Sequence, residues 1–384
     1  MGEFRKIPVV IQRGGTSKGI YIHEKDLPQD ERLREKVILS IFGSPDRRQI
    51  DGLGGADPLT SKVAIISRSG KEGADVNYTF GAVDINEPLV DYKGNCGNIS
   101  SGVGPFAIDE GLISAAGSET VVRIYNTNTR KILKAYVPIQ NGKTKYLGNF
   151  AIDGVPGTSA KILLDFSETS GAATGKLLPT GNPVDGVAIP SLGKMEISIV
   201  DAGNPVCFIT PEALHLSGTE GPLDPKIIDS LEKIELIRGT AARMIKLAET
   251  AEKARIQSPA VPMLAIVSAP AAYTSFTDGR TIQAGEIDFV SRLFYMQEMH
   301  KTYAGTGTVC TGAAARIEGT LVHRAAQRKE NSTVRIGHPG GVIPIEVEVE
   351  KTAGGFHLKK AAFARTSRRI MEGFVYVPES LFGG

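Results

Sequence analysis

The sequence predicts an α/β protein made of two topologically similar, pseudo-symmetric halves. β-Branched runs of strand length alternate with segments of helical period along the chain. The order of segments in the first half returns in the second, and each half contains one helix that starts on a glycine. With 384 residues the chain exceeds what one hydrophobic core supports, so two domains of about 190 residues are expected. The glycine- and proline-rich stretch 171–193 is the natural linker, dividing the chain into 1–185 and 186–384.

In the first half, residues 6–12 form a β-branched run. It breaks at Arg13-Gly14-Gly15-Thr16-Ser17-Lys18-Gly19 and resumes at Ile20-Tyr21-Ile22, which reads as strand, glycine turn, strand. Residues 32–42 place Leu33, Val37 and Ile41 at helical spacing, and Gly43-Ser44-Pro45 ends the helix. A loop, 53–61, delivers Lys62 to the entry of a strand at 63–67, and 75–80 alternates as a further strand. The segment from Cys96 through Glu110 then opens a helix among small and polar residues.

The second half repeats this plan. Residues 197–209 are again strand, glycine turn, strand, with Gly203 answering Gly14; 225–253 supplies a longer helix, and 262–267 answers 61–66. Tyr303-Ala304-Gly305-Thr306-Gly307 aligns without a gap on Asn95-Cys96-Gly97-Asn98-Ile99, pairing Glu318 with Glu110 and Gly319 with Gly111. Ala304 therefore takes the position of Cys96. Residues 374–377 read as a last strand whose half the sequence leaves open.

Composition excludes several classes of function. The 44 basic residues nearly balance 42 acidic ones, leaving no electrostatic footprint for nucleic acid or an anionic membrane. Three cysteines without paired spacing argue against a disulfide framework and against a zinc site, so no metal is expected. Residues 1–6 lack the apolar core of a signal peptide, and no apolar run approaches the roughly 20 residues of a membrane span. A soluble cytoplasmic protein is expected.

Cys96 stands where a helix N-terminus exposes backbone N–H groups and the positive end of the helix dipole, which favour the reactive thiolate. Cys310, aligned with Gly102 inside a helix, and Cys207, in a strand, read as packing residues. Gly97 and Gly305 let a ligand approach two helix starts, which bind anions through backbone N–H groups. Carboxylate fits better than phosphate, because neither glycine turn has the context of a nucleotide loop. A cleft between the halves is the expected ligand site. The thiol could attack a carbonyl or shuttle a proton. Attack needs a histidine base, and of six histidines only His300 lies close in sequence to a proposed cleft element. Proton transfer gains from Lys62, whose counterpart in the repeat is Met263, so the fold itself does not demand a cation there.

These residues carry a resemblance. The paired helix starts at 95–98 and 304–307 resemble the diaminopimelate epimerase fold, in which each half offers a cysteine to a substrate carbon. With Ala304 replacing the second thiol, the resemblance implies a proton moved along one face, a double-bond migration. Residues 12–19, 54–62, the Cys96 segment and Met299-His300 leading to Gly305-Thr306-Gly307 look like the PrpF group, isomerases acting on methylaconitate, oxalomesaconate and methylitaconate. One departure is Tyr295-Met296-Gln297 where the group has Ser-Met-Gly, which suggests an altered pocket. The resemblance implies a cofactor-independent isomerase of a small unsaturated di- or tricarboxylate, with interconversion of methylitaconate and dimethylmaleate favoured. A tricarboxylate tautomerase of the same group and a silent dicarboxylate-binding protein are the alternatives. It assigns Cys96 and Lys62 to catalysis, and Ser17, His300, Gly97, Asn98, Gly305, Thr306 and, more weakly, Arg292 to substrate binding. It also implies a homo-oligomer, a tetramer by family analogy.

Overall fold

The computed structural model describes residues 2–328 and 330–383. The first strands are β1 (Phe4–Gly14), β2 (Ser17–His23), β3 (Lys62–Arg68), β4 (Val76–Val83), β5 (Val90–Asp91), β6 (Glu119–Asn126), β7 (Lys131–Gln140), β8 (Lys143–Thr144) and β9 (Ile162–Asp165). The next are β10 (Asp185–Ile189), β11 (Gly193–Ala202), β12 (Asn204–Ile209), β13 (Met263–Ser268), β14 (Tyr273–Thr274) and β15 (Thr281–Ile282). The last are β16 (Phe289–Tyr295), β17 (Glu298–Met299), β18 (Thr333–His338), β19 (Gly341–Thr352), β20 (Gly355–Arg365) and β21 (Ser367–Pro378). The helices are α1 (Glu31–Phe42), α2 (Gly97–Asp109), α3 (Pro225–Met244), α4 (Ala254–Gln257), α5 (Gly305–Arg316) and α6 (Leu321–Ala325). The chain divides into two compact units. One comprises the chain up to Ala151, Gly157–Leu164 and the chain from Arg365 onward; the other comprises Ile152–Pro156 and Asp165–Ala364.

In the first unit β1 lies antiparallel to β21 and β2, β2 parallel to β3, β3 antiparallel to β4, β4 parallel to β6, and β6 antiparallel to β7. In the second unit β11 lies antiparallel to β10 and β12, and β12 parallel to β13. From there β13 is antiparallel to β16, β16 parallel to β18, and β18 antiparallel to β19. The succession of senses is the same in both, which is the pseudo-symmetry the internal repeat predicts. Parallel neighbours need a crossover, and each parallel step has its helix: α1 before β3, α2 before β6, α3 before β13 and α5 before β18.

Each unit buries one helix completely. All residues of α2 from Gly97 to Ile108, and of α5 from Gly305 to Ala315, are buried. α2 packs against β1, β2, β3, β6 and β7, and α5 against β11, β12, β18 and β19. Small side chains make this approach possible: a Cβ at Gly102 would stand 2.3 Å from the Tyr21 hydroxyl. That hydroxyl donates to the Ile99 carbonyl at 2.7 Å. The hydroxyls of Ser100 and Ser101 bond back to the carbonyls of Cys96 and Asn98, so the polar side chains of a core helix find their partners within it. The amphipathic helices cover the sheets from outside. Val37, Ile38, Ile41 and Phe42 of α1 join Ile20, Ile22, Val63 and Ile65, while Ile227, Ile234 and Ile237 of α3 join Ile197, Ile199 and Ile266.

One expected element is shorter than the sequence suggests. The helix expected over 225–253 ends at Met244. Lys246 adopts a left-handed φ of 61°. The Lys246 N–H returns to the Arg243 carbonyl and the Leu247 N–H to that of Ala242. This is a Schellman closure. Such closures usually use glycine, so a lysine there hides the stop from a sequence reading. The turn brings the chain back onto α3, where a Cβ at Gly239 would lie 2.2 Å from the Ala251 carbonyl oxygen.

Candidate active site

Five of the expected site residues meet in the first unit. Cys96 is the N-cap of α2: its backbone is extended, with φ −114°, and its Sγ accepts the Ile99 N–H at 3.5 Å. Lys62, the first residue of β3, is buried and extends its Nζ to Cys96 Sγ at 3.4 Å and to Ser17 Oγ at 3.1 Å. Ser17 opens β2 beside β3; the parallel pairing sets Ile20 opposite Val63, which leaves Ser17 two positions out of level with Lys62, and the long Lys62 side chain spans the offset to reach Ser17 Oγ. An ammonium and a helix N-terminus thus converge on the sulfur of Cys96, a residue 7% exposed, while the Ser17 hydroxyl accepts a hydrogen bond from the same ammonium. Both stabilise negative charge on Sγ. Gly97 and Asn98 form the first turn of α2, where the leading N–H groups of a helix have no intrahelical acceptor.

The turn carrying Ser17 is built against that helix start. Gly15 adopts a left-handed φ of 53°, and a Cβ there would fall 2.2 Å from Asn98 Oδ1. The Gly15 N–H bonds to the Thr366 carbonyl at 2.9 Å, and Arg13 Nη1 to the same oxygen at 3.1 Å. Gln12 Nε2 donates to the Gly102 carbonyl at 3.0 Å and to Ser367 Oγ at 2.9 Å. Gln12, Tyr21 and the crossing into β21 thus support the site. The sequence reading gave them no role in the site, although Gln12 opens the 12–19 motif. Arg365 was also missed. It is buried, donates from Nε to Asn98 Oδ1 at 3.0 Å, and is pushed down to about 9 by burial. Its signal was its parity: it follows buried Ala361 and Phe363 at alternate positions of β20.

The second unit gathers His300, Gly305 and Thr306 around the start of α5, whose N-cap, Ala304, supplies no side-chain cap. A turn at Met296 and Gln297, both at positive φ, joins β16 to β17 and returns the chain to His300, whose N–H bonds to the Leu293 carbonyl at 2.8 Å. The unusual Tyr295-Met296-Gln297 thus forms the hairpin turn, a place where Asn-Gly is the common choice. His300 Nδ1 accepts the Thr302 N–H at 3.1 Å, so in the neutral ring the proton sits on Nε2 and this histidine is a donor. Thr306 Oγ1 accepts from Asn204 Nδ2 at 3.0 Å, tying the Gly203 turn to α5. Arg292 lies on β16, buried, with its guanidinium over the Tyr273 ring and donating to the carbonyls of Glu220, Thr219 and Ser291. Those bonds hold the 217–220 loop.

The other two thiols, Cys207 in β12 and Cys310 in α5, are fully buried. Burial pushes the Cys207 thiol up to about 12 and raises that of Cys310, whose Sγ donates to the Val200 carbonyl at 3.0 Å. Among the described residues no three His, Cys, Asp or Glu side chains cluster as a metal site, and no helix is long and apolar enough to cross a membrane.

Comparison with known proteins identifies relatives of the whole chain. The family model described as PrpF protein matches residues 4–378. A 3-methylitaconate isomerase of Eubacterium barkeri is 53% identical over 385 aligned positions, covering 99% of each chain. A crystal structure of methylitaconate-delta-isomerase superposes with a TM-score of 0.80 at 52% identity, covering 100% of this chain and 98% of that one. A hydroxyproline epimerase from Agrobacterium vitis, at 13% identity and a TM-score of 0.59 over 99% and 95% of the two chains, shares the fold.

Proposed function

The chain belongs to the PrpF family, and from this premise we propose that it is a cofactor-independent isomerase that interconverts (R)-3-methylitaconate and 2,3-dimethylmaleate. The observation that carries the reading is Lys62 Nζ held between Ser17 Oγ and Cys96 Sγ at the start of α2. The likeness to the Eubacterium barkeri isomerase supports the substrate.

In the reaction the Cys96 thiolate takes the proton from C3. The electron pair left behind delocalises over the allyl system and the adjacent carboxylate, and the Cys96 thiol returns a proton to the methylene carbon. One C–H bond breaks, another forms, and the double bond moves; no redox partner is needed. Lys62 stabilises the thiolate before the transfer and the developing negative charge during it, a role commonly worth about 3 kcal/mol per donor. Ser17, Gly97 and Asn98, with His300, Gly305 and Thr306 of the second unit, are assigned to the carboxylates, His300 through its Nε2 proton. Inversion by two thiols would need a second one at position 304, which is alanine.

Proton NMR in D2O tests the proposal. With methylitaconate the vinyl methylene signals should decay as new methyl signals of dimethylmaleate grow. Absence of both isomerisation and exchange would refute it, and turnover of aconitate-like tricarboxylates with little on methylitaconate would move the assignment to the tautomerases.

A further inference from the structure

Gln49 lies in the segment between α1 and β3, and the proposed chemistry gives it no task. It is 1% exposed, and its backbone is left-handed, with φ 45°. Glycine or asparagine takes that conformation more cheaply, so what glutamine brings to the position is its side chain. The amide is fully used. Nε2 donates to Ser44 Oγ at 2.8 Å and to Ser61 Oγ at 2.7 Å, and Oε1 accepts the Ala56 N–H at 2.8 Å. A backbone N–H can only donate, so these contacts also fix which end of the amide is oxygen. Gly54 lies close against it: a Cβ there would stand 2.2 Å from Gln49 Cδ. Ser61 is the residue before Lys62. Its Oγ donates to the Val83 carbonyl at 2.9 Å, and its own carbonyl accepts the Val83 N–H at 3.0 Å. Lys62 opens β3 opposite Ala82, so the Ser61 to Val83 pair closes the β3–β4 ladder at the end from which the Lys62 side chain departs. Toward β2 the register begins only at Ile20 and Val63, one residue past Lys62.

We propose that Gln49 is a positioning residue for Lys62: through Ser61 Oγ it pins the start of β3 and so sets the reach of Lys62 Nζ to Cys96 Sγ. The inference rests on the reading of Cys96 and Lys62 as the reacting pair. Nζ stands 3.4 Å from Sγ at the end of a flexible four-carbon stem, so the root of that stem is what the fold can fix. A misplacement of about 1 Å originating away from the chemistry can cost about 10²-fold in rate. Gln49 does not touch the substrate. Its effect runs through the charge that Lys62 presents to the thiolate and the transition state, so it falls on kcat and leaves KM nearly unchanged.

The test reads two quantities on the full chain. One is the alkylation rate of Cys96 by iodoacetamide at fixed pH, with Cys96→Ala as background, which needs no substrate; the other is kcat and KM on methylitaconate. Gln49→Met keeps the stem and removes all three bonds. Alkylation should slow and kcat should fall, each about 10-fold or more, with KM within about threefold. Ser61→Ala breaks only the link to β3; it should lower both rates in the same direction, and it covers the case in which Gln49→Met does not fold. In a Lys62→Met background Gln49→Met should change neither rate by more than about twofold, because the group it places is gone. A lower melting temperature with wild-type alkylation and kcat in both single variants would overturn the proposal. So would an effect of Gln49→Met that persists undiminished in the Lys62→Met background. If the wild type does not turn over methylitaconate, the substrate reading fails by itself, and the alkylation rates of the same variants decide the role of Gln49 on the same criteria.

Discussion

Lys62→Met removes the ammonium and keeps most of the aliphatic stem. At the 3.4 Å separation from Cys96 Sγ and an effective dielectric of about 20, the attraction between the two charges is about 5 kcal/mol. Much of the thiolate charge moves to the dienolate in the transition state, and the loss there is that of one strong preorganised donor, about 3–4 kcal/mol. The expected consequence is a fall in kcat of about 10²- to 10³-fold. Because methionine leaves the buried Cys96 sulfur without its cationic partner, the melting temperature should fall at a pH where the thiolate is populated. Two assays read this: decay of the vinyl methylene signals by NMR, and the alkylation rate of Cys96 by iodoacetamide at fixed pH, with Cys96→Ala as background. Both rates should drop together. A variant within about threefold of wild-type kcat, or one that loses activity while Cys96 alkylates as before, would refute the charge argument for Lys62.

Other expectations follow from single groups. Cys310→Ala should keep wild-type kcat and KM and lose about 1 kcal/mol of stability, measured by urea unfolding, since its thiol only fills a buried site and bonds to the Val200 carbonyl. Asp201 is raised above the ordinary carboxylate range by burial, although Oδ2 gathers the N–H groups of Ala173 and Thr174 and the Thr174 hydroxyl. A raised folded value means stabilisation below the unfolded value of about 3.9 that fades as pH rises through the folded one. Asp201→Asn, which keeps an acceptor, should melt at or above the wild-type temperature at pH 7; a clear drop would contradict this. Glu110 runs the other way: burial alone would raise it, but hydrogen bonds from Arg369 and His23 leave it below its usual value. Its contribution is present above the unfolded value of about 4.3 and lost as pH falls through the folded one, so Glu110→Gln should flatten the acid side of the stability profile between those values.

What the sequence disclosed depended on how local the physics was. The two pseudo-symmetric units were legible because the gap-free match of 95–111 with 303–319 puts a glycine helix start and a later glycine in each copy. Gly111 and Gly319 both take left-handed φ, 69° and 92°. Lys62 was legible because its counterpart, Met263, lacks charge. The site's supports were not legible. Gln12, Tyr21, Thr366 and Ser367 act through contacts between residues far apart in the chain, as in the Gln12 to Ser367 bond, and a single sequence has no period that records them. Arg292 shows the converse: an arginine near a site motif in the chain, whose guanidinium is engaged by backbone carbonyls of a loop.

The central claim is that one thiol, Cys96, both takes and returns the proton. Proton NMR of the Cys96→Ala protein with methylitaconate in D2O tests it most directly, with a melting curve to confirm the fold. Loss of both double-bond migration and deuterium exchange at C3, on a protein that melts as the wild type does, is the predicted result; exchange at C3 continuing at the wild-type rate would contradict it and pass the role of base to another group.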